Sequence, residues 1–251
     1  MNKIIDLIRE YADIFHLKGE TLGATHIIEH AIHTKDDAPI NARPYRFPAA
    51  LREELHRQVN EMLETGIIES SESPYRSNIF LVPKPPDKEG NKRYRLVVDF
   101  RQLNEKTIPD RYPLPNILDI IDQVGGSKYF STLDLSSGFY QCMLRPEDRH
   151  KTAFSTNFGL FQFRKMPMGL CNSPATFQRA MDRAFKGLQG HDLFLYLDDC
   201  VIFAKSEEEH FDKLKRFFQH ESDRVNGIID DQTRTSRGYT DKTYQFTWNI
   251  I

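Results

Sequence analysis

The sequence of 251 residues has few of the features that most readily identify a protein class. Its three cysteines, Cys142, Cys171 and Cys200, form no C-x-x-C pair, which argues against disulfides and a cysteine-rich zinc site. We expect three free thiols in the core, in a reducing compartment. No apolar run approaches the ~18 residues of a membrane-spanning helix, and Asp6 interrupts the start where a signal peptide would be apolar. Secretion and a membrane partner are therefore not expected.

A large excess of charge of one sign is also missing. The net charge is −2, and 39% hydrophobic with 28% charged residues is ordinary for a globular chain, which excludes collagen and extensive disorder. The charge is unevenly distributed, since residues 84–111 contain eight basic and five acidic side chains. Such a segment is either a solvated surface or a site for an anionic partner, and charge alone does not distinguish them.

The apolar pattern predicts a mixture of helices and short strands. Helices are predicted to follow Pro48, Pro115, Ser173 and Ser206. Strands are predicted at residues 79–82, 94–100, 128–135, 141–144, 152–155, 193–197 and 200–204. A short amphipathic helix is expected near the start, followed by an extended leader to residue 41, and apolar periodicity is lost beyond residue 219.

Three acidic residues stand where strands end. Asp198 and Asp199 occupy the turn of a predicted hairpin, and Asp134 ends another apolar strand. A solvated acidic turn is the simplest interpretation of the pair alone. Three carboxylates that converge are tolerable only around cations, and oxygen ligands without Cys or His select Mg²⁺ or Mn²⁺. Two such ions roughly 4 Å apart can activate a hydroxyl, hold a phosphate and stabilise a leaving oxygen.

Four segments together resemble a known enzyme family. They are residues 94–104 (YRLVVDFRQLN), 129–141 (YFSTLDLSSGFYQ), 166–178 (MPMGLCNSPATFQ) and 196–199 (YLDD). Their order and content are similar to the fingers segment and the three palm motifs of reverse transcriptases, in particular those in the Pol polyproteins of Gypsy-type long-terminal-repeat retrotransposons. The resemblance covers residues 44–210.

The resemblance implies an α+β fold, with the fingers and palm of a right-hand polymerase and an antiparallel palm sheet backed by helices. Residues 1–43 would be a leader or linker, and residues 44–210 the fingers and palm. Residues 211–251 would be a divergent tail that matches neither primer grip nor thumb, so we expect a truncated chain in which duplex binding suffers most. An intracellular location is implied, in the cytoplasm, a virus-like particle or the nucleus.

The implied activity is RNA-directed, and also DNA-directed, DNA synthesis. A deoxynucleoside triphosphate (dNTP) would be added to a primer 3′-hydroxyl on an RNA or DNA template. One alternative is a catalytically silent retroelement remnant that binds nucleic acid weakly, and another is an RNA polymerase of the same palm architecture. The sequence leaves the oligomeric state open.

The resemblance also implies roles for single residues. Asp134, Asp198 and Asp199 would bind two Mg²⁺ ions, or Mn²⁺ as a substitute, with the Leu135 carbonyl as a further ligand. The residues that would bind the nucleotide are Lys84, Arg95, Phe139 and Met168. The residues that would contact the template are Arg101, Asn104 and Gly169.

Several of these roles have simpler alternatives. Phe139 would act as a steric gate against a ribose 2′-hydroxyl, or would be an ordinary core residue. Met168 stands where the family carries Gln or Phe, which implies a softer wall of the nucleotide pocket. Lys84 could be plain surface charge, Arg101 and Asn104 could form a salt bridge and a cap, and Gly169 could serve only a turn.

Three histidines have the spacing of helical metal ligands. They are His26, His30 and His33. Because the C-x-x-C partner of an integrase-type zinc module is missing from the sequence, we interpret them as solvated side chains.

Overall fold

The computed structural model describes residues 2–15, 23–43, 45–87, 89–197, 199–232 and 246–249. Asp198, one of the predicted metal ligands, lies outside the described residues. The chain divides into two compact units that alternate along the sequence. Unit 1 consists of residues 1–28, 111–142 and 174–251, and unit 2 of residues 29–110 and 143–173. The division at residues 43 and 210 is based on family motifs and stays a prediction.

The described chain is a mixture of helices and short strands. The helices are α1 (Asn2–Glu10), α2 (Arg52–Glu64), α3 (Arg101–Lys106), α4 (Ile117–Val124), α5 (Ser173–Ala184) and α6 (Glu207–Gln232). The strands are β1 (Thr25–His30), β2 (Ile68–Ser70), β3 (Asn78–Lys84), β4 (Arg93–Asp99), β5 (Tyr129–Leu135), β6 (Cys142–Leu144), β7 (Phe154–Ser155), β8 (Leu160–Phe163), β9 (Leu193–Tyr196), β10 (Asp199–Ala204) and β11 (Phe246–Asn249). In these residues, no helix has the length and apolar character needed to cross a membrane.

Unit 1 is built on a four-stranded sheet in the order β11-β5-β10-β9. The hairpin β9–β10 confirms the predicted pair of apolar strands, and β10 runs antiparallel to β5 from Asp199 opposite Asp134 to Ala204 opposite Tyr129. Helices α5 and α6 supply fully buried side chains, and the ring of Phe185, which directly follows α5, stacks on Phe217 of α6 with centroids 5.5 Å apart. This packing confirms the apolar face predicted for the helix after Ser173.

Unit 2 contains the hairpin β3–β4 and the three-stranded sheet β2-β8-β7. The hairpin is paired along its whole length, from Asn78 opposite Asp99 to Lys84 opposite Arg93, as the sequence predicts. Gln58 of α2 holds the outer edge of β4, because its Nε2 donates to the Tyr94 carbonyl (3.0 Å) and its Oε1 accepts from the Leu96 N–H (2.9 Å). The loops of this unit are therefore attached to a well-braced hairpin.

The structure corrects several sequence predictions. The predicted leader contains β1, whose most buried residues are the polar Thr25 and His30, so that apolar periodicity does not show the strand. The expectation of three solvated histidines was wrong at His30, because that residue ends β1 in a buried position, whereas His26 and His33 are exposed. Strands β6 and β7 begin later than predicted, because 3₁₀ turns occupy residues 138–141 and 146–152. The backbone of α6 stays helical to Gln232, well past the loss of apolar periodicity.

Two further details differ from expectation. Helix α4 begins after Asn116, whose side chain accepts from the Leu118 N–H (3.1 Å), so that Asn116 caps the helix, with Pro115 just outside it. Cys142 and Cys200 are buried as predicted, but Cys171 is exposed because it lies in a turn before α5. The expectation of three core thiols was wrong at that position.

Candidate active site

The two predicted acidic ligands that the structure describes lie side by side. Asp134 near the end of β5 and Asp199 at the start of β10 are directly opposite each other in the antiparallel ladder, and both are exposed. Side chains in such positions have Cβ atoms about 4.5–5.5 Å apart, and two like charges there destabilise the sheet. A divalent cation between the two carboxylates would remove this repulsion.

Strained backbone follows each of the two strands that lead to these acids. Ser137, two residues beyond β5, has φ +49°, and Leu197, the residue after β9, has φ +53°. Residues other than Gly, Asn and Asp rarely adopt this left-handed backbone conformation, which costs about 1–2 kcal/mol per residue. The acids therefore lie beside tight turns that the surrounding structure must hold in place.

Two buried amide side chains hold these turns. Gln141 donates from Nε2 to the Ser136 carbonyl (2.8 Å). Gln178, fully buried on α5, accepts at Oε1 from the Leu197 N–H (3.4 Å) and donates from Nε2 to Asp182 Oδ1 (3.0 Å). Sequence reasoning did not single out either glutamine. A polar residue on the otherwise apolar face of α5 was the available signal for Gln178.

The donor set fits a hard divalent cation. The Leu135 side chain is a buried hydrocarbon with no donor atom, and its backbone carbonyl is the group that could serve as a ligand beside the two carboxylates. Within the described ranges no group of three His, Cys, Asp or Glu side chains is placed to hold a metal ion, and Asp198 is not among them. Burial, followed by the charges of Glu221 and Asp199, raises the pKa of the adjacent Cys200 thiol, which therefore stays neutral.

Phe139 lies in the 3₁₀ turn that follows Ser137. Its side chain is 9% exposed, and its ring stacks on Phe177 of α5 with centroids 5.0 Å apart. The ring thus has one face fixed in the core of unit 1 and a small accessible part. This placement is compatible with either a steric gate or a core residue.

The predicted phosphate ligands of unit 2 share one face of the hairpin β3–β4. Lys84 lies opposite Arg93 in the strand ladder, and Arg95 is two residues further along β4. Opposite residues and residues two apart on a strand share a face, so the three side chains lie on the same face of the hairpin. All three are exposed. Arg93 was not named from the sequence, although it belongs to the basic segment. The strand pairing is what joins it to Lys84 and Arg95 as a cluster of three cations.

The turn that carries Met168 and Gly169 is held by an amide side chain of α3. Asn104 donates from Nδ2 to the Gly169 carbonyl and accepts at Oδ1 from the Cys171 N–H, both at 2.8 Å. Met168 is 50% exposed, and Gly169 has φ +95°, which a side chain would disfavour. Both hydrogen-bonding atoms of Asn104 are thus used within the turn, as in the alternative that assigns it a capping role.

Arg101 is the last of the predicted template contacts. Its guanidinium forms a two-pronged pair with Asp99, from Nε to Oδ1 (2.8 Å) and from Nη2 to Oδ2 (2.7 Å). This pairing lowers the pKa of the Asp99 carboxyl to about 2. The salt bridge agrees with the simpler alternative for Arg101, although the side chain stays largely exposed.

Sequence comparison gives a consistent set of relatives. A family model described as reverse transcriptase (RNA-dependent DNA polymerase) matches residues 82–229. The chain is 41% identical over 216 residues to the Retrovirus-related Pol polyprotein from transposon 297 of Drosophila melanogaster, covering 86% of this chain and 20% of that protein. It is 40% identical over 206 residues to the corresponding polyprotein from transposon gypsy of the same fly, covering 82% and 20%. The chain spans about a fifth of the length of these curated relatives.

Solved structures give the same result. The foamy viral protease-reverse transcriptase in complex with RNA/DNA hybrid superposes with a TM-score of 0.77 at 25% identity, covering 87% of this chain and 29% of that one. The same viral protein in complex with dsDNA gives a TM-score of 0.73 at 24% identity, covering 88% and 44%. Together with the opposed acids on a mixed α+β scaffold, these matches show that the chain belongs to the reverse transcriptase (RNA-dependent DNA polymerase) family, with the α+β fold that its sequence predicts.

Proposed function

We propose that this chain is the polymerase part of a retrotransposon Pol protein and catalyses RNA-directed, and also DNA-directed, DNA synthesis. The observation that carries the proposal is the register of β5 and β10, which puts Asp134 directly opposite Asp199. Family membership supplies the class of reaction. An RNA or DNA template with a primer and a dNTP are the proposed substrates.

The proposed chemistry is attack of the primer 3′-hydroxyl on the α-phosphate of the dNTP, with release of pyrophosphate. Asp134, Asp199 and the Leu135 carbonyl would hold Mg²⁺, or Mn²⁺ in its place. Asp198 is added from the family resemblance alone. Two bound ions would supply the positive charge that activates the hydroxyl and stabilises the leaving oxygen. The amides of Gln141 and Gln178 would keep the strand ends that carry these ligands in position.

Unit 2 would supply the groups that bind the triphosphate and the template. Lys84, Arg93 and Arg95 present three exposed cations on one hairpin face, and guanidinium groups bind phosphate oxygens in pairs. Met168 would form a wall of the nucleotide pocket. Arg101 and Gly169 are retained as template contacts by proposal, and Asn104 as a template-binding residue that acts by holding the turn of Gly169.

Phe139 would exclude ribonucleotides by occupying the space of a 2′-hydroxyl. Its ring is fixed by the stack on Phe177, so its position would not adapt to a larger sugar. The free thiols and the relation to retrotransposon proteins support an intracellular site of action, in the cytoplasm, a virus-like particle or the nucleus.

The direct test is primer extension on poly(rA) with an oligo(dT) primer, in Mg²⁺ or Mn²⁺. Asp134→Asn and Asp199→Asn should each lower the rate roughly a thousandfold or more, because metal-assisted charge stabilisation contributes several kcal/mol. Asp212→Asn removes an exposed acid on α6 of the same unit and should leave the rate unchanged. Mg²⁺ should raise the melting temperature of the parent but not of the first two variants.

Two outcomes would overturn the proposal. Extension by Asp134→Asn and Asp199→Asn at the parental rate would remove both acids from the chemistry. A parent that extends no primer, while a positive-control reverse transcriptase does so in the same mixture, would favour the silent remnant. Equal incorporation of ribonucleotides by the parent and by Phe139→Val would exclude Phe139 as the gate.

A further inference from the structure

A network of side-chain hydrogen bonds in unit 1 ends on the backbone N–H of Leu197. Gln178 of α5 accepts from that N–H at Oε1 (3.4 Å) and donates from Nε2 to Asp182 Oδ1 (3.0 Å). The second carboxylate oxygen of Asp182, Oδ2, accepts from the Tyr112 hydroxyl (2.6 Å). We refer to Tyr112, Asp182 and Gln178 as the α5 network.

Asp182 determines which way round the Gln178 amide lies. A carboxylate has only acceptor atoms, so the group that Gln178 turns towards Asp182 must be its NH₂. The amide oxygen is then directed at the Leu197 N–H. A reversed amide would set a donor against that N–H and an acceptor against the carboxylate. Because Gln178 is fully buried, water does not readily replace either partner.

Tyr112 in turn holds Asp182. Both residues are half-buried, and the hydrogen bond between them is short. The guanidinium carbon of Arg179 lies 4.5 Å from the centroid of the Tyr112 ring, so a second side chain of α5 contacts the tyrosine. The hydrogen bond to Asp182 raises the pKa of the Tyr112 phenol, so the hydroxyl stays protonated and remains the donor. Each oxygen of the Asp182 carboxylate thus has its own partner.

Leu197 is the residue at which the α5 network meets the proposed metal ligands. It follows β9 and has φ +53°, a conformation that leucine adopts only where the surrounding structure imposes it. Two residues later, β10 begins at Asp199, directly opposite Asp134. The direction of the peptide at Leu197 therefore affects where the Asp199 carboxylate lies relative to that of Asp134.

We propose that Asp182 and Tyr112 are positioning residues for DNA synthesis. They fix the orientation of the Gln178 amide, which holds the Leu197 N–H. That N–H belongs to the turn that leads to Asp199. The inference rests on the proposed function, since the position of this acid matters for synthesis only if it holds a metal ion. The simpler alternative is that Gln178 and Asp182, four residues apart on one helix face, only stabilise α5.

The first test requires neither metal nor substrate. It is the hydrogen-exchange rate of the Leu197 amide in the full chain, measured by NMR with isotope-labelled leucine in EDTA. Asp182→Ala should raise this rate roughly tenfold, because a hydrogen bond to a charged group is worth that factor or more. Tyr112→Phe, which keeps the ring and loses the hydroxyl, should have a smaller effect in the same direction.

Two controls accompany the exchange measurement. Asp212→Ala, which removes an exposed acid on α6, should leave the exchange rate of the Leu197 amide at the parental value. The buried Leu195 of β9 is the internal control, because its amide exchanges faster only if the strand itself opens. Its rate should be the same in all variants.

A paired substitution reverses donor and acceptor within the α5 network. Gln178→Glu sets a second carboxylate against Asp182 and should raise the exchange rate of the Leu197 amide as Asp182→Ala does. Adding Asp182→Asn supplies an amide donor to the new carboxylate, whose other oxygen can still accept from the Leu197 N–H. The pair should therefore return the rate to within about threefold of the parent. Helix stabilisation alone predicts no such rescue.

Primer extension tests whether this positioning matters for synthesis. Asp182→Ala should lower kcat roughly tenfold and leave the KM for dNTP within about twofold of the parent, because the variant displaces a metal ligand and not a nucleotide-binding group. Gln178→Glu with Asp182→Asn should recover most of the kcat that Gln178→Glu loses. Asp212→Ala should extend primers at the parental rate.

The outcomes separate this inference from the proposed function. An unchanged Leu197 exchange rate in Asp182→Ala, or an equal rise at Leu195, would overturn the α5 network as the support of the turn. Faster exchange at Leu197 with parental kcat would overturn the positioning role. A parent that extends no primer would remove the proposed function and the positioning role with it, while the exchange rates would still show whether the network holds Leu197.

Discussion

Replacing Asn104 with alanine should loosen the turn that presents Met168 and Gly169. The side chain makes two hydrogen bonds of 2.8 Å to that turn, one to the Gly169 carbonyl and one from the Cys171 N–H. Each is worth about 1 kcal/mol net, so Asn104→Ala should cost about 2 kcal/mol. If the whole cost falls on nucleotide binding, it corresponds to roughly a 30-fold loss of affinity.

The assay is steady-state primer extension with separate titrations of dNTP and of template-primer. We expect the KM for dNTP to rise up to about 30-fold, because Met168 is the proposed wall of the nucleotide pocket. The affinity for template-primer should fall by a smaller factor, because Gly169 is only one of the proposed template contacts. Asn104→Asp keeps the acceptor for the Cys171 N–H but sets a carboxylate oxygen against the Gly169 carbonyl. It should therefore be at least as damaging as the alanine variant.

Gln102→Ala is the matched control, since Gln102 is an exposed residue of the same short helix. Gln102→Ala should leave the KM for dNTP and the affinity for template-primer unchanged. A fall in template-primer affinity in Asn104→Ala, with an unchanged KM for dNTP, would refute the reasoning. That result would mean that Asn104 contacts the template directly.

Three further predictions concern the stability and reactivity of the fold. Burial lowers the pKa of His30 to about 4, so on acidification His30 stays neutral in the folded chain while the unfolded chain takes up a proton. Lowering the pH from 6.5 to 4 should therefore remove about 3 kcal/mol of unfolding free energy from the parent that His30→Gln does not lose. Urea titrations at each pH would measure this difference, and an equal loss in both proteins would contradict it. A thiol reagent should titrate only the exposed Cys171 in the folded chain and also Cys142 and Cys200 in urea, so three fast thiols under native conditions would contradict their burial. Gly169→Ala should lower the unfolding free energy by about 1–2 kcal/mol, because the backbone at this position has φ +95°. Crowding is not the cause, since the added Cβ would lie 3.6 Å from the Phe100 ring, an ordinary contact distance. Unchanged stability in a urea titration would show that the turn adapts.

The elements that sequence predicts well are those whose buried face is apolar. Helix α5 and the hairpin β9–β10 were predicted close to their observed bounds, because their core residues repeat with the period of a helix or form continuous apolar runs. Strand β1 was missed because Thr25 and His30 fill its buried positions. The part of α6 beyond residue 219 was not predicted, because the sequence there has no apolar periodicity.

For the candidate site, the residue types could be predicted but not their supports. The family resemblance implied Lys84 and Arg95, yet only the register of β3 against β4 adds Arg93 to the same face. The amides of Asn104 and Gln178 act on backbone groups distant in sequence, at Gly169 and Leu197. Nothing in local composition marks an amide side chain as one that will hold a remote turn.

The order of residues along the chain was enough to determine the family, the acidic character of two strand ends and the oxygen-only chemistry of the proposed metal ligands, since each depends on the identity of neighbouring residues. Tertiary structure alone decided that Asp134 faces Asp199 and that three basic side chains share a hairpin face. These features depend on strand register and on packing between distant segments, which are set by the free energy of the whole fold and not by any local pattern.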